Sequence, residues 1–288
     1  MEISVLTGLT TAAILFLVSV GLSLIFGTLR IINMAHGTLY MVGAYILTVY
    51  FAGESTHLLG FLGGLITAAV FVAVIGILIE VFVMRRLYGS DDLFQLLATW
   101  AIMLILDELS LIAWGSNNMS GPMPTALSGP ISIAGQYFPA YDVFLVGAAV
   151  IIAVLLWVLL RFTRLGRLIR AAVQDTELIY TLGVNVRRLY AEIFALGAFL
   201  AALGGALIAP MTSIGPGMDS QIIVEAFIVC VIGGLGSIWG TVVGALIIGL
   251  VQSLGNLYVP NLASLAPYLV MVIILVTRPQ GIFGKVEG

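Results

Sequence analysis

The stretch "GLITAAVFVAVIGILIEVFVM" (Gly64–Met84) is apolar on every side of a helix, and its one charge, Glu80, comes five residues before Arg85. A helix without a polar stripe is buried in a large core or in a bilayer. Twenty residues at 1.5 Å each make about 30 Å, the thickness of the hydrocarbon layer. Strand-type alternation is missing here and along the rest of the chain, so a β-barrel is excluded. Composition agrees, with 61% hydrophobic and 9% charged residues and a mean hydropathy of +1.19. The expected fold is an all-α polytopic membrane protein, one membrane domain over residues 1–288 with about eight to nine membrane segments.

The eleven basic residues set the topology. None lies between Arg86 and Arg161, and none between Arg188 and Arg278. The positive-inside rule then assigns 85–92, 161–189 and 278–288 to the cytoplasm of a cell bounded by its inner (plasma) membrane. The Gly/Pro/Ser/Asn-rich segment 115–140 goes outside, read as an irregular or partly re-entrant loop. Nine apolar segments result: 5–27, 36–52, 58–84, 93–114, 141–160, 190–210, 221–233, 240–258 and 264–277. If all cross, the N-terminus is outside and the C-terminus cytoplasmic. The opening "MEISVLTG" has no basic residue and does not resemble a cleavable signal. Small residues recur at fourfold spacing at Gly197, Ala201, Gly205 and Ala209 and at Gly236, Gly240 and Gly244, which lets helices pack closely.

Two segments are too short or too interrupted to cross simply. In "FGTLRIINMAHGTLYMVGAY" (Phe26–Tyr45), Arg30, Asn33 and His36 separate two apolar runs. Residues 221–233 span only about 20 Å as a helix and run into "GGLGSIWG" (Gly233–Gly240). Broken backbone inside a bilayer is tolerated where it is buried in protein or lines a cavity. The translocation-pathway candidates are therefore Asn33, His36, Thr38, Tyr40, Gly233, Gly234, Gly236 and Ser237. The bland alternative has Asn33 and His36 capping helix ends and satisfying freed backbone groups.

Catalytic and cofactor chemistry has little to work with. Two histidines and the single cysteine, Cys230, supply no metal spacing and no internal disulfide. The only lysine, Lys285, is followed by valine, so no phosphate-cradling G-x-x-x-x-G-K-[ST] loop exists. Asp107 and Glu108 lie about 10 Å inside the end of their segment and face about 100° apart, so at most one can point to a pathway. An acid that faces inward there is a functional candidate. Glu80 and Glu192 lie close to Arg85 and Arg188, where pairing is expected.

The connector "RFTRLGRLIRAAVQDTELIYTLGVNVRRLYAE" (Arg161–Glu192) carries six of the eleven basic residues around a helical apolar spacing, with Gly183 as a stop signal. It reads equally as a membrane-surface anchor or as a docking helix. Its R-A-x-x-x-D order followed by glycine (Arg170, Ala171, Asp175, Gly183) resembles the ATPase-docking loop of ABC importer permeases. With Gly21–Tyr45, "VIGGLGSIWGTVVGA" (Val231–Ala245) and "RPQGIFG" (Arg278–Gly284), the chain resembles the permeases of branched-chain amino acid importers. It departs from the family pattern in the bulk of Ile179 and Tyr180 and in the acidity of Asp107–Glu108.

That resemblance implies a permease of helices with internal repeats, no cofactor in this chain, and ATP and Mg in two separate ATP-binding subunits. It implies a second permease subunit, a heterodimer in preference to a homodimer, an extracytoplasmic substrate-binding protein, a lipid bilayer around the chain and no nucleic acid. Arg167, Arg170, Asp175 and Gly183 would dock the ATPase. Substrates would be branched-chain or related amino acids. The alternatives are urea or short amides in the same family, or an ion-coupled transporter or facilitator.

Overall fold

A computed structural model describes residues 2–51, 53, 57–133, 135–174 and 176–284. Asp175 and Lys285 lie outside the described residues. The helices are α1 (Glu2–Leu29), α2 (His36–Tyr50), α3 (Leu58–Ile79), α4 (Arg85–Leu87), α5 (Asp92–Trp114), α6 (Ala140–Phe162), α7 (Arg164–Gln174), α8 (Thr176–Thr181), α9 (Val186–Ile208), α10 (Met218–Gly233), α11 (Ile238–Tyr258) and α12 (Ala266–Thr277). A single π-helical turn, Glu80–Met84, joins α3 to α4, so Leu58–Leu87 is one continuous rod. Each of the nine apolar segments forms a helix, and six are long and apolar enough to cross a membrane.

The arginines gather at one end of the bundle, hereafter the basic end. There Arg85 donates from Nη2 to the Arg187 carbonyl at 3.4 Å, tying the end of the α3–α4 rod to the start of α9. The buried Glu80 carboxylate takes Arg85 Nη2 at 2.7 Å and Nε at 3.2 Å, plus the Tyr88 hydroxyl at 3.1 Å. Arg188 pairs with Glu192 at 2.9 Å, as the sequence spacing implies.

The opposite end differs from expectation. Segment 115–140 is not irregular: β2 (Pro130–Ile133) and β3 (Gln136–Pro139) form an antiparallel hairpin, Ile133 opposite Gln136. β1 (Met119–Ser120) pairs with β4 (Ser213–Ile214), which lies just after α9. The Gly and Pro content hid short strands whose Ile, Tyr and Phe residues favour pleated backbone. This is the hairpin end.

α1 is the hub of the bundle. Its Gly21 faces the Gly197 carbonyl of α9 so closely that a Cβ would come within 2.7 Å, and its Gly27 abuts Gly236. Gly205 leaves room for the Tyr40 carbonyl, and a Cβ on Gly43 would come within 2.5 Å of the Ala202 Cα. The small-residue rows thus act as helix–helix seams. The outer faces of α3, α5, α6 and α12 expose apolar residues such as Phe71, Ile105, Ile151 and Ile273, as a lipid-facing shell would.

Residues 233–240 are a tight turn between α10 and α11 at the basic end. Gly234 and Gly236 take φ of +96° and +82°, which only glycine adopts cheaply. Ser237 caps α11 through Gly240 N–H at 3.1 Å. The tail then returns to this turn: Ile282 and Phe283 N–H donate to the Ile232 and Gly233 carbonyls at 2.9 and 3.0 Å. Those are carbonyls that the end of α10 leaves without helical partners.

Candidate translocation site where two short helices begin

Two non-helical stretches enter the bundle from opposite ends. Residues 30–35 rise from the basic end, and Thr99 of α5 donates from Oγ1 to the Ile32 carbonyl at 2.9 Å. Residues 209–217, which include β4, descend from the hairpin end. The two short helices start where these stretches finish. Asp107 stands beside Thr38 and Asp219, and it lies fifteen residues into α5, about 22 Å from the basic end at helical rise. α2 runs from there toward the hairpin end, and α10, sixteen residues long, runs toward the basic end. Their N-termini touch: a Cβ on Gly37 would press into the Asp219 carbonyl, and Thr38 Oγ1 donates to Asp219 Oδ2 at 3.5 Å.

Beside this junction is a half-enclosed cavity of about 290 Å³. α5 contributes Met103, Asp107, Ser110 and Leu111, one face at helical spacing, and α2 contributes Met41 and Tyr45. Asp219 and Ser220 supply the wall from the first turn of α10. Tyr45 stacks on Trp114 with ring centroids 4.7 Å apart. Of the adjacent acids, Asp107 lines the cavity while Glu108 is exposed on the other side of the helix. Asp219 is 1% exposed. No Lys or Arg lies in 31–84, 87–160 or 189–277, so these spans carry no fixed positive charge.

Asp219 was not among the residues singled out from the sequence. Its signal was present in "GPGMDSQ" (Gly215–Gln221), where glycine-bounded backbone leads into a helix with an acid in its first turn. The nominated residues scatter over two regions. Thr38 is at the junction. His36, fully buried, donates from Nε2 to the Val18 carbonyl of α1 at 3.0 Å. It does not cap α2, whose N-cap residue Ala35 makes no side-chain bond. Asn33 is fully buried too, and among the described residues neither of its amide atoms has a partner. Tyr40 is packed against Gly204 and Gly205, within electrostatic reach of Glu225. Gly233, Gly234, Gly236 and Ser237 sit at the far end of α10, about 20 Å from Asp219 by helical rise.

A second opening of about 560 Å³ lies on the other side of α10. Thr7 and Thr11 of α1, Gln221 and Glu225 of α10, and Gln252 and Asn256 of α11 line it toward the hairpin end. Gln221 and Gln252 lie beside the Glu225 carboxylate.

The connector folds as an amphipathic helix α7, capped by Thr163, whose Oγ1 accepts from Gly166 N–H at 3.2 Å. Ile169 and Ala172 face inward, and Arg170 donates to the Leu160 carbonyl at the end of α6. Arg167 donates to the Phe162 carbonyl at 3.3 Å. After α8, Gly183 at φ +78° closes the helix with N–H bonds from Gly183 to Tyr180 and from Val184 to Ile179. Val173, Tyr180 and Leu182 remain exposed beside the arginines.

A family model described as the permease component of the branched-chain amino acid transport system matches residues 4–275. The chain belongs to that family. As a member of the permease family, it is a transport subunit rather than an enzyme, and a multi-pass protein of the inner membrane. Among this permease's relatives, the high-affinity branched-chain amino acid permease LivH of Salmonella typhimurium is 27% identical over 97% of this chain and 94% of its own length. BraD of Pseudomonas aeruginosa is 26% identical over 97% and 94%. The probable LivH of Methanocaldococcus jannaschii is 28% identical over 94% and 89%. No solved structure matches this permease.

Proposed function

We propose that this permease is one membrane subunit of an ATP-driven importer for branched-chain or related amino acids. The observation that carries the proposal is the connector 164–183. Val173 of its amphipathic helix, Tyr180 of α8 and Leu182 after it are exposed at the arginine-rich end, a surface suited to a cytoplasmic ATPase subunit. The chain has no nucleotide loop of its own, so ATP and Mg belong to two partner subunits. By the positive-inside rule the basic end is cytoplasmic, with the N-terminus outside and the C-terminus inside. The hairpin end then receives cargo from an external binding protein.

The polar groove around Glu225 supports a further subunit. Hydroxyl, amide and carboxylate groups at membrane depth are costly against hydrocarbon, and a second permease subunit would cover them and close a path between the two. Co-purification from membranes, followed by reconstitution, tests the reading. ATP-binding subunits should accompany the chain, and uptake of leucine, isoleucine or valine should require ATP and a binding protein. Uptake by the chain alone, driven by a sodium or proton gradient, would replace this reading with ion-coupled transport.

A further inference from the structure

The cavity at the α2–α10 junction combines features that packing alone does not call for. Two carboxyl groups, Asp107 and Asp219, line the same cavity close to each other, and Thr38 donates to Asp219 at 3.5 Å. Asp107 Oδ1 is buried and, among the described residues, has no hydrogen-bond partner. Like charges this close repel unless a proton or cationic group lies with them, and no Lys or Arg of this chain lies along the spans. The remaining wall, from Met41, Met103 and Leu111, is apolar and soft. At about 290 Å³ the space far exceeds a bare metal ion and accommodates a small organic molecule.

We propose that this cavity is a recognition site for a primary ammonium group on a small apolar molecule, with Asp107 and Asp219 as the specificity-determining residues. The proposal deepens the importer reading and rests on it. The ammonium lies between the two carboxyl groups, with Thr38 holding Asp219 in place, and the aliphatic part lies over Met41, Met103 and Leu111. Urea and neutral amides, which carry no cation, leave the acid pair unpartnered and are disfavoured. A carboxylic acid of the same skeleton without its amine is rejected by charge.

The test uses the reconstituted complex with its ATP-binding and substrate-binding partners. ATP-dependent leucine uptake is competed with isopentylamine, which keeps the amine, and with 4-methylpentanoate, which lacks it. Because an external binding protein also selects cargo, the same competition is repeated with Asp107→Asn and Asp219→Asn permeases and an unchanged binding protein. Isopentylamine should inhibit the original complex more strongly than 4-methylpentanoate. Each variant should reduce leucine uptake about ten- to a hundredfold, the range for loss of one charge-assisted hydrogen bond, and should narrow the gap between the competitors.

Folding is checked in the purified complex by monodisperse elution and melting, which both Asn variants should leave unchanged. Trp114, stacked on Tyr45 at the cavity, should report isopentylamine by a fluorescence change lost in Trp114→Phe and weakened in both Asn variants. Equal inhibition by the two competitors, or Asn variants that transport leucine normally, would overturn the proposal while leaving the importer reading intact. Absence of ATP-dependent uptake of any substrate by the original complex would instead remove the importer reading.

Discussion

The Glu80–Arg85–Tyr88 cluster allows a quantitative test of how the basic end is held. Glu80 is 0% exposed and Arg85 28% exposed as side chains. Removing one partner of a buried ion pair costs about 3–5 kcal/mol, because the other charge stays buried and unpaired. The partial exposure of Arg85 lets water compensate in part, so Arg85→Ala should cost about 2–3 kcal/mol. Glu80→Leu loses the acceptor for Arg85 and Tyr88 but leaves no buried carboxylate, and should cost about 1–2 kcal/mol. The double variant Glu80→Leu/Arg85→Ala should fall below the sum of its two single variants by about 2 kcal/mol. Arg86, the exposed neighbour, is the control, and Arg86→Ala should stay within about 0.5 kcal/mol of the original. Unfolding in mixed detergent and SDS micelles, followed by tryptophan fluorescence, measures all of these. Additivity of the single variants within about 0.5 kcal/mol would refute the pairing argument, as would equal effects of Arg85→Ala and Arg86→Ala.

Three further outcomes are expected. Gly205→Leu puts a side chain where the Tyr40 carbonyl lies and should destabilise the α2–α9 seam by about 1–3 kcal/mol, seen as loss of monodisperse protein; unchanged yield and melting would contradict the seam. His36→Ala removes a buried ring and its bond to Val18, at about 2–4 kcal/mol. The protein that survives should keep its substrate preference, and a changed preference would move His36 into the site. Gly183→Ala forces a Cβ into left-handed backbone at about 1–2 kcal/mol, confined to the exposed connector. ATPase coupling should weaken while the melting of the bundle stays put, and intact coupling would count against the docking role.

The spans were legible because lipid imposes a coarse rule: a run such as Gly64–Met84 has no other stable place. Pairing at Glu80 and Glu192 was also readable, since helix spacing alone brings Arg85 and Arg188 into reach. The interruption at 28–35 was found from its polar residues, and the structure makes it the non-helical entry to α2. The second interruption was placed at the wrong end of its helix. "GGLGSIWG" attracts attention by its glycines, yet these make an ordinary tight turn, while the intramembrane entry is 209–217. Asp219 escapes the sequence for a related reason: the apolar run begins at 221, two residues beyond it. Contacts between Thr38, Asp107 and Asp219 join positions up to 181 residues apart, and local periodicity holds no information about such meetings.

The tail at 278–284 bears on how the molecule is born. α10 carries Asp219 at one end and, at the other, the carbonyls that Ile282 and Phe283 satisfy. During synthesis, therefore, α10 enters the membrane some fifty residues before its clasp exists, with those carbonyls still seeking partners. The far end of α10 gains these two hydrogen bonds only once the tail has left the ribosome, so a helix made earlier is finished by residues made later.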